Sequence, residues 1–318
     1  MSRRSTQPKK STGPRMAVVI GRLKMANPVM VSSGCFGYGE EIARFYPLNR
    51  LGAIVVKGTT LEPRPGNPPP RMAETPGGML NAIGLQNVGV DVFLRDKLPF
   101  IRKTGVPCIV NINGRKMEEY VELARRLDGV PGIGALEINI SCPNVKQGGI
   151  EFGSTPEGAE RVVSAVRKAT RLTLITKLSP NVTDVKVIAR ACEAAGTDAL
   201  SAINTVVGMA INARTRRPVI RNITGGLSGP AVKPIGLRVV YQVAQAVKVP
   251  IVGMGGIVTG EDAVEYLLVG ATAVSVGTAN YLEPKAALHV AEQLEAFLKE
   301  QKVSHVQDLI GGLRVPNA

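Results

Sequence analysis

The sequence contains no tryptophan, and aromatic residues make up only 4% of its 318 residues. Proteins that bind single-stranded nucleic acid without sequence preference combine basic residues with aromatic side chains on which the bases stack. The chain is basic, with a formal net charge of +14, but its basic residues are not interleaved with aromatic ones. We therefore expect no nucleic-acid partner, because an acidic partner subunit or anionic substrates explain the charge equally well.

Cysteine and histidine are also scarce. The cysteines are widely spaced without a C-x-x-C pair, and no histidine lies near any of them: Cys35, Cys108, Cys142, Cys192, His289 and His305. Zinc and iron–sulfur sites need clustered ligands of these types, so we expect no metal in this chain. General acid–base chemistry in the body of the protein must then use a residue type other than histidine.

The chain has no apolar run of the roughly 18 to 20 residues that cross a bilayer, so we expect a soluble, cytoplasmic protein. Its first fifteen residues, MSRRSTQPKKSTGPR, carry five basic and no acidic side chains and lack the apolar stretch of a secretory signal. We interpret 1–15 as a disordered basic tail before one domain over 16–318. A transit peptide or a polyanion-binding arm is the alternative.

Eight short apolar runs alternate along the chain with amphipathic stretches. The runs occupy 29–32, 53–57, 108–113, 135–140, 172–178, 199–204, 250–255 and 273–277, with helices predicted between them, for example at 117–127, 156–169, 185–195 and 261–270. Apolar strands that alternate with helices indicate a parallel sheet, and eight units favour a closed barrel over an open sheet. The prediction is an α/β protein, a single (β/α)8 TIM barrel preceded by an N-terminal β-hairpin.

Two connections are too long and too rich in glycine and proline to be simple turns. The first, at 59–87, contains EPRPGNPPPRM and NAIGLQN, and the second, at 205–233, contains NARTRRPVIRNITGGLSGP. Long structured loops in compact domains are commonly lids or binding loops. Both leave the carboxyl end of a predicted strand, where barrel active sites are built. We therefore expect both to be active-site loops.

Polar side chains recur at the carboxyl ends of the otherwise apolar strands. These are Lys57, Asn111, Asn113, Asn139, Lys177 and Asn204. Any one of them is explained by a solvated loop edge, but a packed barrel has no structural need for such residues on five strands. The recurrence predicts a ring of amides and ammonium groups in one mouth of the barrel, which is a candidate active site.

Glycines follow the last two predicted strands, at Gly255-Gly256 and at Gly277-Thr278. Backbone amides at these two places form the phosphate site common in barrels, although a glycine pair alone also makes tight turns. Together with the amide ring they suggest FMN, whose single phosphate would lie there. Lys177 would then face the N1/C2 carbonyl edge of the flavin, where a cation stabilises the negative charge of the reduced ring.

Cys142 stands in EINISCPNVKQGG, directly after a predicted strand and before a proline. Proline ends the strand and restricts the backbone, so the thiol is presented in the mouth rather than in the core. A lone cysteine is more often a small buried hydrophobic residue, and Cys108 and Cys192 fit that description. The polar strand end makes Cys142 a candidate catalytic residue.

Eight motifs in order resemble class 1 dihydroorotate dehydrogenase, and most of all the catalytic subunit of its B type, whose partner couples it to NAD. They are VKGTT, NAIGLQN, NISCPNVKQGG, KLSPN, INT, GGLSGP, GMGG and VGTAN. The similarity runs from about residue 24 to residue 280 and continues into DLIGGLR. Motifs that recur at ordered positions are far more specific than one short pattern.

The resemblance implies a role for particular residues. The cysteine of NISCPN, Cys142, corresponds to the catalytic base. The residues that match FMN contacts are Ser33, Lys57, Asn111, Asn139, Lys177, Ile203, Gly229, Gly255, Gly256, Gly277 and Thr278. Those that match contacts to the orotate ring are Lys57, Asn81, Ala82, Ile83, Gly84, Leu85, Asn139, Asn204 and Thr205. The basic N-terminal extension is not part of the family pattern.

The resemblance also implies partners. Electrons leaving FMN for NAD would need a second polypeptide with FAD and an iron–sulfur cluster, on a homodimeric core that makes a heterotetramer. An A-type enzyme that reduces fumarate is one alternative, and a tRNA dihydrouridine synthase, another FMN barrel, is a second. Only about forty residues follow the eighth strand, which is short for that enzyme's RNA-binding region. A non-catalytic barrel scaffold is the third alternative.

Overall fold

A computed structural model describes residues 13–141 and 150–316 of the chain, and its core is a closed barrel of eight parallel strands. We label the barrel strands in chain order: β1 (Val29–Val31), β2 (Ala53–Thr59), β3 (Cys108–Ile112), β4 (Ile133–Asn139), β5 (Thr173–Lys177), β6 (Ala199–Ala202), β7 (Ile251–Met254) and β8 (Ala273–Val276). Each strand pairs with its neighbours in sequence, and β8 pairs with β1 to close the barrel. The predicted (β/α)8 fold is confirmed.

Helices surround the barrel, and the longer ones each bury apolar residues in the core. They span Val90–Val92, Leu98–Thr104, Met117–Leu127, Ile150–Gly153, Pro156–Ala169, Val185–Ala194, Lys233–Ala244, Gly260–Leu268, Ala279–Leu282 and Ala286–Glu300, with a π-helical segment at Phe93–Lys97. Side-chain caps at Thr155, Asp184 and Thr259 accept backbone N–H bonds and start three of them. In the part of the chain that the structure describes, no helix is long and apolar enough to cross a membrane.

The predicted N-terminal hairpin is present and covers the bottom of the barrel. Val18–Ile20 pairs antiparallel with Leu23–Met25, and the backbone N–H of Arg22 donates to Thr173 Oγ1 at 2.9 Å at the start of β5. Just before the hairpin, the backbone N–H of Arg15 donates to the Ser304 carbonyl at 2.8 Å. The disordered tail that we predict for 1–15 lies mostly outside the described residues and stays a prediction.

The two long loops meet above the carboxyl ends of the strands and form one antiparallel sheet. Its four strands, in spatial order, are Val206–Met209, Thr224–Ser228, Gly78–Asn81 and Met72–Thr75. Gly226 of the second loop lies opposite Asn81 of the first, and Asn81 Nδ2 donates to the Gly226 carbonyl at 3.3 Å. The paired loops therefore cover the mouth of the barrel, and we call this four-stranded sheet the lid sheet.

Candidate active site

A cavity lies between the barrel mouth and the lid sheet, with about 1300 Å³ of space including its open side. It brings together residues from all eight barrel strand ends or the loops that follow them. The predicted residues that line it are Ser33, Lys57, Asn81, Ile83, Gly84, Leu85, Asn111, Asn139, Lys177, Ile203, Asn204, Thr205, Gly229, Gly255, Gly256, Gly277 and Thr278. Residues more than 200 positions apart in the chain thus share one site.

Three predicted residues stand apart from this set. Ala82 is fully buried behind the lining, and its backbone N–H donates to the Arg71 carbonyl at 2.8 Å. Asn113 is buried and donates from Nδ2 to Asn111 Oδ1 at 2.7 Å, so it supports a lining residue rather than facing the cavity. Cys142 lies outside the described residues.

The residue before Cys142 is anchored by two asparagines of the cavity. Ser141 is fully buried, and its hydroxyl and backbone N–H donate to Asn139 Oδ1 at 3.1 and 3.3 Å. Asn204 Nδ2 in turn donates to the hydroxyl and the carbonyl of Ser141 at 2.9 and 3.1 Å. The chain therefore enters the segment that carries Cys142 from the edge of the cavity.

Two lysines, from β2 and β5, supply positive charge to the cavity. Lys57, at the end of β2, is partly buried, and both loss of hydration and the nearby Arg71 charge lower the pKa of its ammonium group. Lys177, at the end of β5, is almost completely buried, and its Nζ lies 3.5 Å from Ser33 Oγ. The described part of the cavity lining contains no aspartate or glutamate, so the cavity favours an anionic ligand.

A carboxylate that the sequence interpretation missed lies beneath the lining. Glu137 of β4 is 2% exposed, accepts a hydrogen bond from Asn111 Nδ2 and accepts another from Ser201 Oγ at 2.8 Å. Its Oε2 lies 3.9 Å from Lys177 Nζ. The available signal was a glutamate inside the apolar run ALEINI, where a charged residue needs a partner.

Glycine residues from two backbone segments also line the cavity. Gly229, Gly255 and Gly256 all have positive φ, and a Cβ built on Gly256 would lie 2.9 Å from the Gly229 carbonyl oxygen. The hydroxyl of buried Tyr266 donates to the Gly255 carbonyl at 2.7 Å and holds that peptide. The Gly229 segment and the Gly255–Gly256 segment approach each other without side chains, so their N–H groups are accessible to an anion. We call these two segments the cradle.

A charged pair ties these two backbone segments together. Asp262 accepts hydrogen bonds from the backbone N–H groups of Val258 and Thr259, each at 2.8 Å, and from Lys233 Nζ at 2.6 Å. Burial raises the pKa of Asp262, but these hydrogen bonds outweigh it and leave the pKa below its ordinary value. Because Lys233 follows the Gly229 segment, the pair fixes the spacing of the glycine segments.

Cys35 also lines the cavity, although the sequence interpretation did not select it. It stands in SGCFG two residues after the predicted contact Ser33, which was the signal available. Burial raises the pKa of its thiol to about 11, even though the Lys177 charge and a hydrogen bond with Tyr281 act in the opposite direction. At neutral pH this sulfur is therefore a protonated thiol and a poor base.

The fold and the site together define a class of protein. A (β/α)8 barrel with cations, amides and a glycine-lined anion cradle at the carboxyl ends of its strands is a barrel enzyme for a small polar or anionic ligand. The chain belongs to the dihydroorotate dehydrogenase family: the sequence model described as "Dihydroorotate dehydrogenase" matches residues 15–298. The protein is an oxidoreductase of this family, which decides against the dihydrouridine synthase and scaffold alternatives.

Curated relatives extend over nearly the whole chain. The "Dihydroorotate dehydrogenase B (NAD(+)), catalytic subunit" of Trichlorobacter lovleyi is 59% identical over 300 residues, 94% of this chain and 99% of that protein. The protein of the same name from Geotalea uraniireducens is 58% identical over 300 residues, with 94% and 98% covered. The predicted resemblance to the B-type catalytic subunit is confirmed.

A solved structure supports the fold independently. The crystal structure of DHODH from Eimeria tenella in complex with ferulenol superposes with a TM-score of 0.78 at 24% sequence identity. The match covers 97% of this chain and 91% of that one. At this identity the similarity shows the barrel architecture alone.

Proposed function

We propose that the protein oxidises dihydroorotate to orotate in de novo pyrimidine biosynthesis, in the cytoplasm, with FMN as the hydride acceptor. One observation supports this above the others: the cavity joins a cationic, amide-lined half to a glycine-lined anion cradle. The first half suits a small cyclic acid and the second a phosphate, so substrate and cofactor would lie side by side. Family membership and the names of the relatives point to the same reaction.

The described residues fit FMN at the cradle. Gly255 and Gly256 leave no room for side chains of their own, since a Cβ would lie 3.3 Å from Ile203 Cγ1 at the first and 2.8 Å from Lys233 Cβ at the second. Thr278 also lines the cavity, and its hydroxyl donates to Ser228 Oγ at 2.8 Å. Backbone N–H groups in this arrangement would hold the phosphate. Ser33, Asn111, Asn139, Lys177 and the other predicted flavin contacts would line the ring site. FMN, when bound, supplies a two-electron acceptor for hydride.

The remaining half of the cavity would hold the substrate. Dihydroorotate carries a carboxylate and a cyclic diamide, and the matching groups are an ammonium and carboxamides. Lys57 would pair with the carboxylate, and Asn81, Asn139 and Asn204 would hydrogen-bond to the diamide. The lid sheet, which supplies Asn81 at the end of Gly78–Asn81, would exclude water from the reacting carbons.

Cys142 would be the base of the reaction. Forming the double bond of orotate requires the C5 proton and the C6 hydride to leave dihydroorotate. The thiolate of Cys142 would take the proton, while the lysines and asparagines orient the ring. The anchoring of Ser141 by Asn139 and Asn204 supports this assignment, because it ties the base segment to two proposed substrate contacts.

An absorbance spectrum tests cofactor and substrate together. The purified chain should show the flavin bands, and adding dihydroorotate without air should bleach them as electrons pass from the substrate. Orotate at the same concentration is the control, since it can bind without donating electrons. A colourless protein that takes up no FMN, or a flavin that dihydroorotate leaves oxidised, would contradict the proposed function.

The electrons would leave through a second subunit to NAD. The relatives are named catalytic subunits of an NAD(+) enzyme, and we propose a homodimer of this chain with two subunits that carry FAD and iron–sulfur. The complex purified from cells should contain a second flavin and reduce NAD. An isolated chain that reduces fumarate and copurifies with no flavoprotein would instead assign it to the A type.

The lowered pKa of Lys57 predicts how substrate binding depends on pH. The ammonium charge is present below the pKa and is lost above it, at a pH lower than the ordinary lysine value of about 10.4. The KM for dihydroorotate should therefore rise in the alkaline range before an ordinary lysine would titrate. A Lys57→Arg enzyme keeps its charge, so its KM should be independent of pH there. The same alkaline rise in both proteins would refute this role.

A further inference from the structure

We propose that Glu137 is a positioning residue whose negative charge holds Lys177 and limits how strongly that lysine stabilises reduced FMN. The inference rests on the proposed function, because it concerns the flavin site. Beyond that function, it assigns to Glu137 a role in setting the reduction potential of bound FMN. The residue itself touches neither the cofactor nor the substrate in this assignment, and it acts through Lys177.

The first step is the burial of the pair. The side chains of Lys177 and Glu137 are 6% and 2% exposed, and their charged atoms lie 3.9 Å apart. An ammonium group removed from water is destabilised unless a carboxylate compensates it. The described cavity lining holds no acidic side chain, so Glu137, which lies beneath the lining, is the counter-charge available to Lys177.

The second step is the orientation of the carboxylate. Both of its oxygens have donors, Asn111 Nδ2 on Oε2 and Ser201 Oγ on Oε1. These donors come from β3 and β6, on either side of the β4 and β5 strands that carry Glu137 and Lys177. Donors from two other strands thus hold the carboxylate, and its Oε2 lies 3.9 Å from Lys177 Nζ. The same Nζ lies 3.5 Å from Ser33 Oγ.

The third step is the effect on the flavin. In the proposed site Lys177 faces the ring edge that becomes negative on reduction, and a cation there favours the reduced form. A fixed carboxylate beside the same cation opposes this effect, and burial of the pair strengthens the interaction between the two charges. Neutralising Glu137 should therefore raise the midpoint potential of bound FMN.

The test is the potential of bound FMN in the purified holoenzyme, measured by spectroelectrochemical titration. Glu137→Gln keeps the size of the side chain and one acceptor oxygen for Asn111 Nδ2, and it removes the charge. Its amide NH2 would face the Ser201 hydroxyl, which can accept a hydrogen bond as well as donate one. We expect reduced FMN to gain about tenfold in binding over oxidised FMN, a rise of about 30 mV for a two-electron couple. Glu137→Asp keeps the charge and should restore most of the wild-type potential.

Ser201→Ala is the matched control, because it removes one hydrogen bond to Glu137 and leaves the charge. A residue that only supports the barrel would give similar potentials in Ser201→Ala and Glu137→Gln, and that result would overturn the inference. An unchanged potential in a yellow, active Glu137→Gln enzyme would also overturn it while leaving the proposed function intact. A wild-type chain without flavin would instead refute the proposed function.

Folding of the variants gives a second measurement. If Glu137→Gln does not fold, the cause should be the unpaired Lys177 cation, and the double variant Glu137→Gln/Lys177→Met should fold because neither charge remains. Its potential should lie below the wild-type value, since the cation is lost. A double variant that also fails to fold would assign Glu137 to the barrel structure alone and reject its role in setting the potential.

Discussion

Replacing Cys142 by alanine should abolish turnover of dihydroorotate at neutral pH while leaving FMN bound. General-base catalysis by a positioned side chain contributes roughly 10² to 10⁴ in rate, so a loss of at least a hundredfold in kcat is expected. The flavin spectrum should be unchanged, because Cys142 is not among the residues proposed to bind the FMN phosphate. Stopped-flow reduction of the bound flavin by dihydroorotate measures this step directly.

Cys35 provides the sharpest comparison, because among the described residues it is the cysteine that lines the cavity. Its pKa of about 11 leaves almost none of it as thiolate at neutral pH, so Cys35→Ala should keep most of the turnover. Cys192→Ala, in the helix Val185–Ala194, controls for thiol loss in general. If Cys35→Ala lost activity and Cys142→Ala retained it, the assignment of the base would be wrong.

The wild-type enzyme should also respond to pH in a definite direction. A free thiol has a pKa of about 8.5, so its thiolate fraction grows as the pH rises through that value. The kcat for reduction of the flavin should therefore rise toward alkaline pH. Titration of Lys57 should instead change KM. One series of measurements over pH can therefore separate the titration of Cys142 from that of Lys57.

Replacing Gly256 by valine should weaken FMN binding by about a hundredfold, equivalent to about 3 kcal/mol. Gly256 has a φ of +73°, which β-branched residues avoid. Its Cβ would lie 2.8 Å from Lys233 Cβ and 2.9 Å from the Gly229 carbonyl oxygen. The side chain would therefore push apart the two segments that form the cradle. Fluorescence titration of the apoprotein with FMN measures the affinity.

Gly311 offers a control with the same backbone strain. Its φ is +71°, and a Cβ added there would meet no atom within 4 Å. Gly311→Val should lose some stability to thermal unfolding but should bind FMN with the wild-type affinity. Equal losses of FMN affinity in both variants would show that general destabilisation, rather than the cradle, explains the result for Gly256.

Much of the site was predictable because barrel geometry converts sequence position into spatial position. Lys57, Asn111, Asn139 and Lys177 each lie at or near the end of a predicted strand, and the carboxyl ends of parallel strands in a closed barrel meet at one mouth. This prediction did not require knowing which strands pair with each other. Ala82 shows the limit, since a motif of consecutive residues cannot indicate which of them face inward once the loop folds.

The sequence by itself determined the barrel and the mouth that carries the chemistry, because apolar periodicity and strand-end polarity are local properties of the chain. Only the tertiary structure decided that Glu137 lies beneath Lys177, that Cys35 joins the cavity, and that Gly226 pairs with Asn81 across the lid sheet. These contacts join residues far apart in the chain. They depend on strand register and loop pairing, which are set by packing in three dimensions and leave no local pattern.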